Sequence, residues 1–187
     1  MKKLIVMLTA LVVVAVSAQA GLQSKYNSGE ATGVDVNFGP ADGPLVVKSI
    51  LASSSGDTST YITLYGRTGS GENLTVAATI TQTVVYVDNA DSQFAGSDIV
   101  VISYNDGAVG DDIVASVTTT NITLTTGLTQ AATVDTRIYE VAAQGKIVIG
   151  TTAFNESGDA LFATPSDSPL RAVMAGTNTA LTVTVLK

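Results

Sequence analysis

The chain contains no cysteine, no histidine and no tryptophan. Without Cys or His, neither a Ser-His-Asp nor a Cys-His catalytic arrangement can be built, and zinc, copper and most iron sites lose their usual ligands. Without Cys there is also no disulfide, so apolar burial or assembly must hold the fold together. Aromatic residues make up only 5% of the chain, and nine Lys and Arg face sixteen Asp and Glu. The basic residues after the first three positions, Lys25, Lys48, Arg67, Arg137, Lys146, Arg171 and Lys187, are scattered. A nucleic-acid ligand needs a concentrated basic footprint, so that class of partner is excluded. No Gly-rich loop opens a helix to cradle a phosphate. Paired carboxylates remain as a hydrolytic chemistry. Most of the acids, however, lie beside Gly, Ser or Asn in predicted turns, where they cap the backbone, and cleft-building aromatics are few. The composition is that of a non-enzymatic protein.

Long apolar runs are also lacking, with one exception at the start. Lys2 and Lys3 precede an uncharged stretch from Leu4 to Val16, and Ser17-Ala18-Gln19-Ala20 supplies small side chains at positions −3 and −1 of a cut after Ala20. This order of basic, apolar and small residues is that of a secretory signal peptide. A membrane-spanning helix needs roughly 20 apolar residues, more than this run provides. Residues 1–20 are therefore expected to be removed, leaving a secreted or cell-surface protein with no transmembrane helix. The 167 residues that remain of the 187 suit one domain with a real core.

What is present in abundance is Val, Ile and Thr in short alternating runs. Branched Cβ atoms restrict the helix rotamers and favour the pleated backbone. Strands are predicted over Leu45–Leu51, Thr60–Arg67, Leu74–Ile80, Val84–Asp88, Asp98–Tyr104, Ile113–Val117, Asn121–Thr125, Thr133–Val141, Lys146–Gly150, Leu170–Met174 and Leu181–Leu186. Turn signals such as Asn105-Asp106-Gly107 and Ser157-Gly158-Asp159 separate them. The phase of alternation breaks near Gln82, which predicts a bulge, bend or strand break there. The expected fold is all-β: one antiparallel β-sandwich over residues 44–187, of jelly-roll type or a relative of it. An extended, glycine- and proline-dotted segment over residues 21–43 precedes it.

Four groups of residues are candidates for function. Asp88 and Asp91 form one acidic cluster and Asp106, Asp111 and Asp112 a second. Oxygen ligands of this kind suit calcium, although neither cluster has the spacing of a helix–loop–helix calcium loop. No other cofactor is expected. Tyr61 and Tyr65 share one face of a predicted strand and are the candidate platform for a glycan. Val34, Val36 and Phe38 alternate as a lone strand within the 21–43 segment and are the candidate for pairing with a neighbouring subunit along a sheet edge. The partner expected is further copies of the same chain. The function expected is that of a structural subunit of an extracellular filament, sheath or surface layer, with a glycan-binding or adhesion module as the alternative. Exported protein should begin at Gly21, which intact-mass spectrometry of secreted material checks. An intact Met1 would overturn the signal-peptide reading.

Overall fold

The computed structural model describes residues 21–29, 33–54, 61–148, 153–176 and 179–187; the expected signal peptide lies outside them. The alternating runs form strands, and their apolar positions face inward. In chain order the elements are β1 (Leu22–Gly29), β2 (Val34–Phe38), β3 (Val46–Ser54), β4 (Tyr61–Arg67), β5 (Glu72–Asn73) and β6 (Val84–Tyr86). A one-turn helix, α1 (Ala90–Gln93), follows. The rest are β7 (Ile99–Ser103), β8 (Val109–Val117), β9 (Asn121–Leu124), β10 (Arg137–Val148), β11 (Ala153–Ala163), β12 (Leu170–Met174) and β13 (Thr179–Leu186).

The pairing is nested. β1 pairs with β13, β2 with β12, β3 with β11 and β4 with β10, all antiparallel. The chain is thus a long hairpin rolled up so that its strands alternate between two sheets, ordered β1-β13-β3-β11 and β2-β12-β4-β10. This eight-stranded arrangement is the jelly roll. Its core lies between the sheets: Val34, Val36 and Phe38 from β2, Val47 and Ile50 from β3, Ile62 and Leu64 from β4, Leu170 and Met174 from β12, and Leu181, Val183 and Val185 from β13.

Residues 68–136 form an insertion at the tip of the rolled hairpin. Beyond β10 the second sheet continues through β7, β8, β9 and β6. It then closes on itself through the segment after β5. Leu74 N donates to Thr136 O (2.9 Å), Thr75 N donates to Tyr86 O (2.8 Å), and Ala78 and Ala132 exchange both backbone bonds (2.9 and 2.8 Å). The resulting small barrel has its own core, with Leu74, Val85, Phe94, Ile102, Val114, Ile122, Leu124 and Ile138 among its members. β10 serves both cores.

Several sequence expectations are corrected here. The extended 21–43 segment, expected to hold a strand for a neighbouring subunit, supplies β1 and β2 of the chain's own roll. Val34, Val36 and Phe38 are buried against β12 of their own chain, because their apolar faces complete the interior of the second sheet. The strand expected over Leu74–Ile80 is interrupted by a bend, leaving Val76 and Ile80 exposed. The two strands expected over Thr133–Val141 and Lys146–Gly150 are one, β10, with a bulge at Gln144 between Ala143 and Gly145. β11 covers the stretch expected as a turn at Ser157-Gly158-Asp159; its register shifts between Ser157 and Phe162, so the turn residues bulge out of a strand that continues past them. The break expected near Gln82 falls at Thr81, whose φ is 67°. Asn105-Asp106-Gly107 forms the β7–β8 hairpin turn: Gly107 has φ 85° and its N–H donates to Tyr104 O at 3.0 Å.

Phe38 is wholly buried among these strands, so Phe38→Ala should lower stability by about 3–5 kcal/mol. Denaturant unfolding of purified protein measures this. A loss below about 1 kcal/mol would show that β2 is not part of the core of its own chain.

Candidate functional site

The rolled sheets leave β2, β12 and β4 with a second face, turned away from the sandwich core. The β7–β8 hairpin folds back over part of it. Val101, Tyr139 and Val141 are buried there, with Tyr65, Ile99 and Val109 against them. A polar cluster closes this contact. Asn37 Nδ2 donates to Asp35 Oδ2 and to Asp111 Oδ1, both at 2.9 Å. Arg171 on β12 reaches Asp111 Oδ2 on β8 through Nε (3.1 Å) and Nη2 (2.9 Å), and its Nε lies 3.6 Å from Asp35 Oδ2. Its guanidinium also sits over the Tyr65 ring, 5.6 Å from the centroid. Burial raises the Asp111 carboxyl above the ordinary carboxylate range; Arg171 opposes that shift and the nearby Asp35 charge adds to it. One guanidinium thus sits between two carboxylates and pins the inserted barrel to the roll.

The five Asp residues considered for calcium do not converge. Asp111 and Asp112 are adjacent on a strand and so point to opposite faces. Asp112 is buried and accepts bonds from Thr126 N (3.1 Å), Thr126 Oγ1 (2.9 Å) and Gly127 N (2.8 Å), which fixes the loop after β9. The loop passes so close to Thr81 that a Cβ at Gly127, where φ is 96°, would lie 2.6 Å from Thr81 O. Asp106 accepts from Ala108 N (2.9 Å) and Gln130 Nε2 (3.0 Å), and these bonds lower its pKa. Asp88 and Asp91 are exposed, Asp91 in the single turn of α1. Among the described residues, no three His, Cys, Asp or Glu side chains gather as metal ligands.

Tyr61 and Tyr65 do share a face of β4, as their spacing requires. Each ring carries a cation, however: Lys146 Nζ lies 3.6 Å from the Tyr61 centroid, and the Arg171 guanidinium lies over Tyr65. The cations come from β10 and β12, strands far away in sequence. A sugar ring stacking on either tyrosine would have to displace its cation.

The outer face of the first sheet is different in kind. Antiparallel partners share a face, so the register gives its rows directly: Tyr26–Thr182–Leu51–Asn155, Ser24–Thr184–Ser49–Ser157, Ser28–Ala180–Ser53 and Leu22–Leu186–Val46–Ala163. None of the paired side chains in these rows is charged; the charged residues beside them are Lys48 and Asp159, in the bulges of β3 and β11, where Lys48 Nζ donates to Asp159 O. Tyr26 is 66% exposed and Leu51 is 53% exposed, side by side across Thr182. Ser24 Oγ and Thr184 Oγ1 lie 2.7 Å apart. Sequence reasoning missed this surface because it spans four strands, two of which were not expected. Its signal, alternate uncharged positions in each strand, emerges only once the register is known.

No protein-family model matches the chain, and no curated protein matches it. Among solved structures, VP17, a capsid protein of bacteriophage P23-77, is similar at 12% identity over 89% of this chain and 97% of that one, with a TM-score of 0.19. The complex of the two major capsid proteins of the same phage, VP16 and VP17, matches at 12% identity over 88% of this chain and 98% of that one, also with a TM-score of 0.19. A structure of infectious bursal disease virus, Gx strain, matches at 12% identity over 88% of this chain and 34% of that one, with a TM-score of 0.15. Backbones that overlap so little do not demonstrate a common fold, and the architecture here rests on the strand pairing. No helix among the described residues is long and apolar enough to cross a membrane.

The polar cluster makes stability depend on pH with a defined sign. A carboxyl whose folded pKa is raised stabilises the fold fully below its ordinary value, 3.8 for Asp111, and that contribution is lost as pH rises through the raised value. Relative to Asp111→Asn, the wild type should therefore lose stability as pH increases from about 3.8 and then level off. Arg171→Met, which leaves two carboxylates facing each other, should destabilise at neutral pH by less than the ~3–5 kcal/mol of a fully buried broken pair, since all three side chains retain some exposure. Denaturant titrations across pH measure both. A wild-type curve parallel to that of Asp111→Asn would refute the assignment.

Proposed function

We propose that this chain is a non-enzymatic structural subunit that assembles with copies of itself at the outer face of the sheet β1-β13-β3-β11, outside the cell as part of a filament, sheath or surface layer. One observation carries the reading. In a protein with a net charge of −7, the rows of that face contain no charged side chain, yet they present Tyr26 and Leu51 to solvent. Like-charged molecules repel at every surface that carries the excess charge. Away from the Lys48 and Asp159 bulges, a face so poor in charge is where two copies approach at least electrostatic cost, and depletion of charge around an exposed aromatic such as Tyr26 is a feature of interface centres. The opposite sheet has less to offer, because the roll covers one of its faces and the β7–β8 hairpin covers part of the other.

Export is supported by the amino-terminal pattern of basic, apolar and small residues, and the absence of cysteine means that neither folding nor assembly depends on redox conditions. The glycan-binding alternative loses support from the cations over Tyr61 and Tyr65. The test is negative-stain electron microscopy and light scattering of the mature protein at rising concentration. Regular polymers are expected from the wild type. Leu51→Glu, which places a negative charge at the centre of the face without touching the core, should abolish them while leaving the circular dichroism spectrum unchanged. A wild type that stays monomeric throughout, or a Leu51→Glu protein that polymerises normally, would overturn the proposal.

A further inference from the structure

Strands of a sandwich normally bury every second side chain. β13 does so fully, with Leu181, Val183 and Val185 inaccessible to solvent. β1, its partner, does not. The positions of β1 that share the inward face with those three are Asn27, Lys25 and Gln23, and no residue of β1 belongs to the core. Lys25 Nζ and Asn27 Nδ2 instead reach across the edge of the sandwich to the backbone oxygens of Asn37 (2.6 Å) and Asp35 (2.8 Å) on β2. β1 is therefore held by its backbone ladder with β13 and by side-chain bonds at its rim. Its departure would leave the apolar core filled and the edge of β13 bare.

We infer that β1 is an exchangeable strand: in the assembled protein, β1 of one copy pairs with β13 of the next. This rests on the self-assembly proposed above and adds to it a second contact, at the edge of the same sheet. The groups that β1 uses, namely the ladder and Thr184 hydroxyl of β13 and the two backbone oxygens and Phe38 ring of β2, are offered identically by a second copy, so exchange replaces each contact with its equivalent. β2 cannot play this part, because its side chains fill the core. Gly33 marks the boundary: its φ is 91°, and a Cβ there would lie 2.4 Å from Met174 O. The chain from Gly33 onward is thus fixed to its own roll. Donation from one copy to the next is a head-to-tail contact, which generates open filaments or closed rings, and strand addition at a bare edge supplies a row of backbone hydrogen bonds. The eight residues of β1 span about 26 Å at ~3.3 Å per residue.

The absence of cysteine makes the test clean. Ser24 and Thr184 are direct partners with side-chain oxygens 2.7 Å apart, so Ser24→Cys combined with Thr184→Cys places two sulfurs within bonding reach. Oxidised as a monomer, this full-length variant should lose the scattering signal of assembly and regain it on reduction. Oxidised after assembly, it should run on a denaturing gel as covalently linked multimers. If the locked monomer assembles as well as the reduced one, or if the assembled variant yields only internally bonded monomers, exchange is overturned while self-assembly stands. If the wild type never assembles, both fall. Tyr26→Cys with Thr182→Cys, the neighbouring pair on the same face, gives the same readout should the first variant fail to fold.

Discussion

A strand can serve two cores on the same side of its sheet only if its side chains keep the same phase at both ends, and the rest of this structure depends on how β10 does so. Ile138, near its start, lies in the barrel core, and Ile147, near its end, packs against the core of the roll. Nine residues apart, the two would fall on opposite faces of an unbroken strand. The bulge at Gln144 inserts one extra residue and restores the phase, so that Ala142 pairs with Gly66, Gly145 with Leu64 and Ile147 with Ile62. The partner strand accommodates it: a Cβ at Gly66 would come within 2.5 Å of the Gln144 side chain. Without that insertion, either the roll or the barrel would lose its share of β10. Bulges are devices of this kind, local departures that re-aim a strand.

With β10 in phase, Tyr139 and Val141 turn to the far face of the sheet, where the β7–β8 hairpin covers them and Arg171 ties the contact to β2 and β12. The second sheet is therefore packed on one side and partly covered on the other. The first sheet is packed on one side only. Among the described residues the buried apolar side chains gather in three interior clusters, and the outer face of the first sheet is left rich in Ser and Thr and poor in charge. The distribution of charge follows: acids hold loops, as Asp112 does, or pin the insertion, as Asp111 does, and on the first sheet they are confined to its edge strand, β11.

The parts of the fold that were legible in the sequence are those where alternation coincides with burial. Leu181, Val183 and Val185 read as one face of a strand and are one. β2 was visible as Val34, Val36 and Phe38, but its place in the core was not, because alternation fixes a face and leaves the partner open. β1 escaped notice because Gln23, Lys25 and Asn27 occupy its inward positions, so it has no apolar period to read. β11 escaped because its bulge resembles a turn. Neighbouring acids mislead in the opposite sense: Asp111 and Asp112 look like a cluster in sequence and serve different partners on opposite faces. The cations over Tyr61 and Tyr65 depend on cross-strand register, which local sequence does not encode.

The nested pairing also sets an order of events. Leu22 lies opposite Leu186, so almost the whole chain separates the first strand from its partner. Contacts of such sequence separation are slow to form, since the entropy of closing the loop is lost before any bond is gained. During synthesis β1 emerges first and β13 last, and the strands of the inner hairpin can meet while β1 still has nothing to pair with. The first strand made must therefore wait for the last. Once β13 has joined β3, and until β1 docks, a molecule carries a free strand beside an edge of matching register, and a neighbour's edge competes with its own according to local concentration.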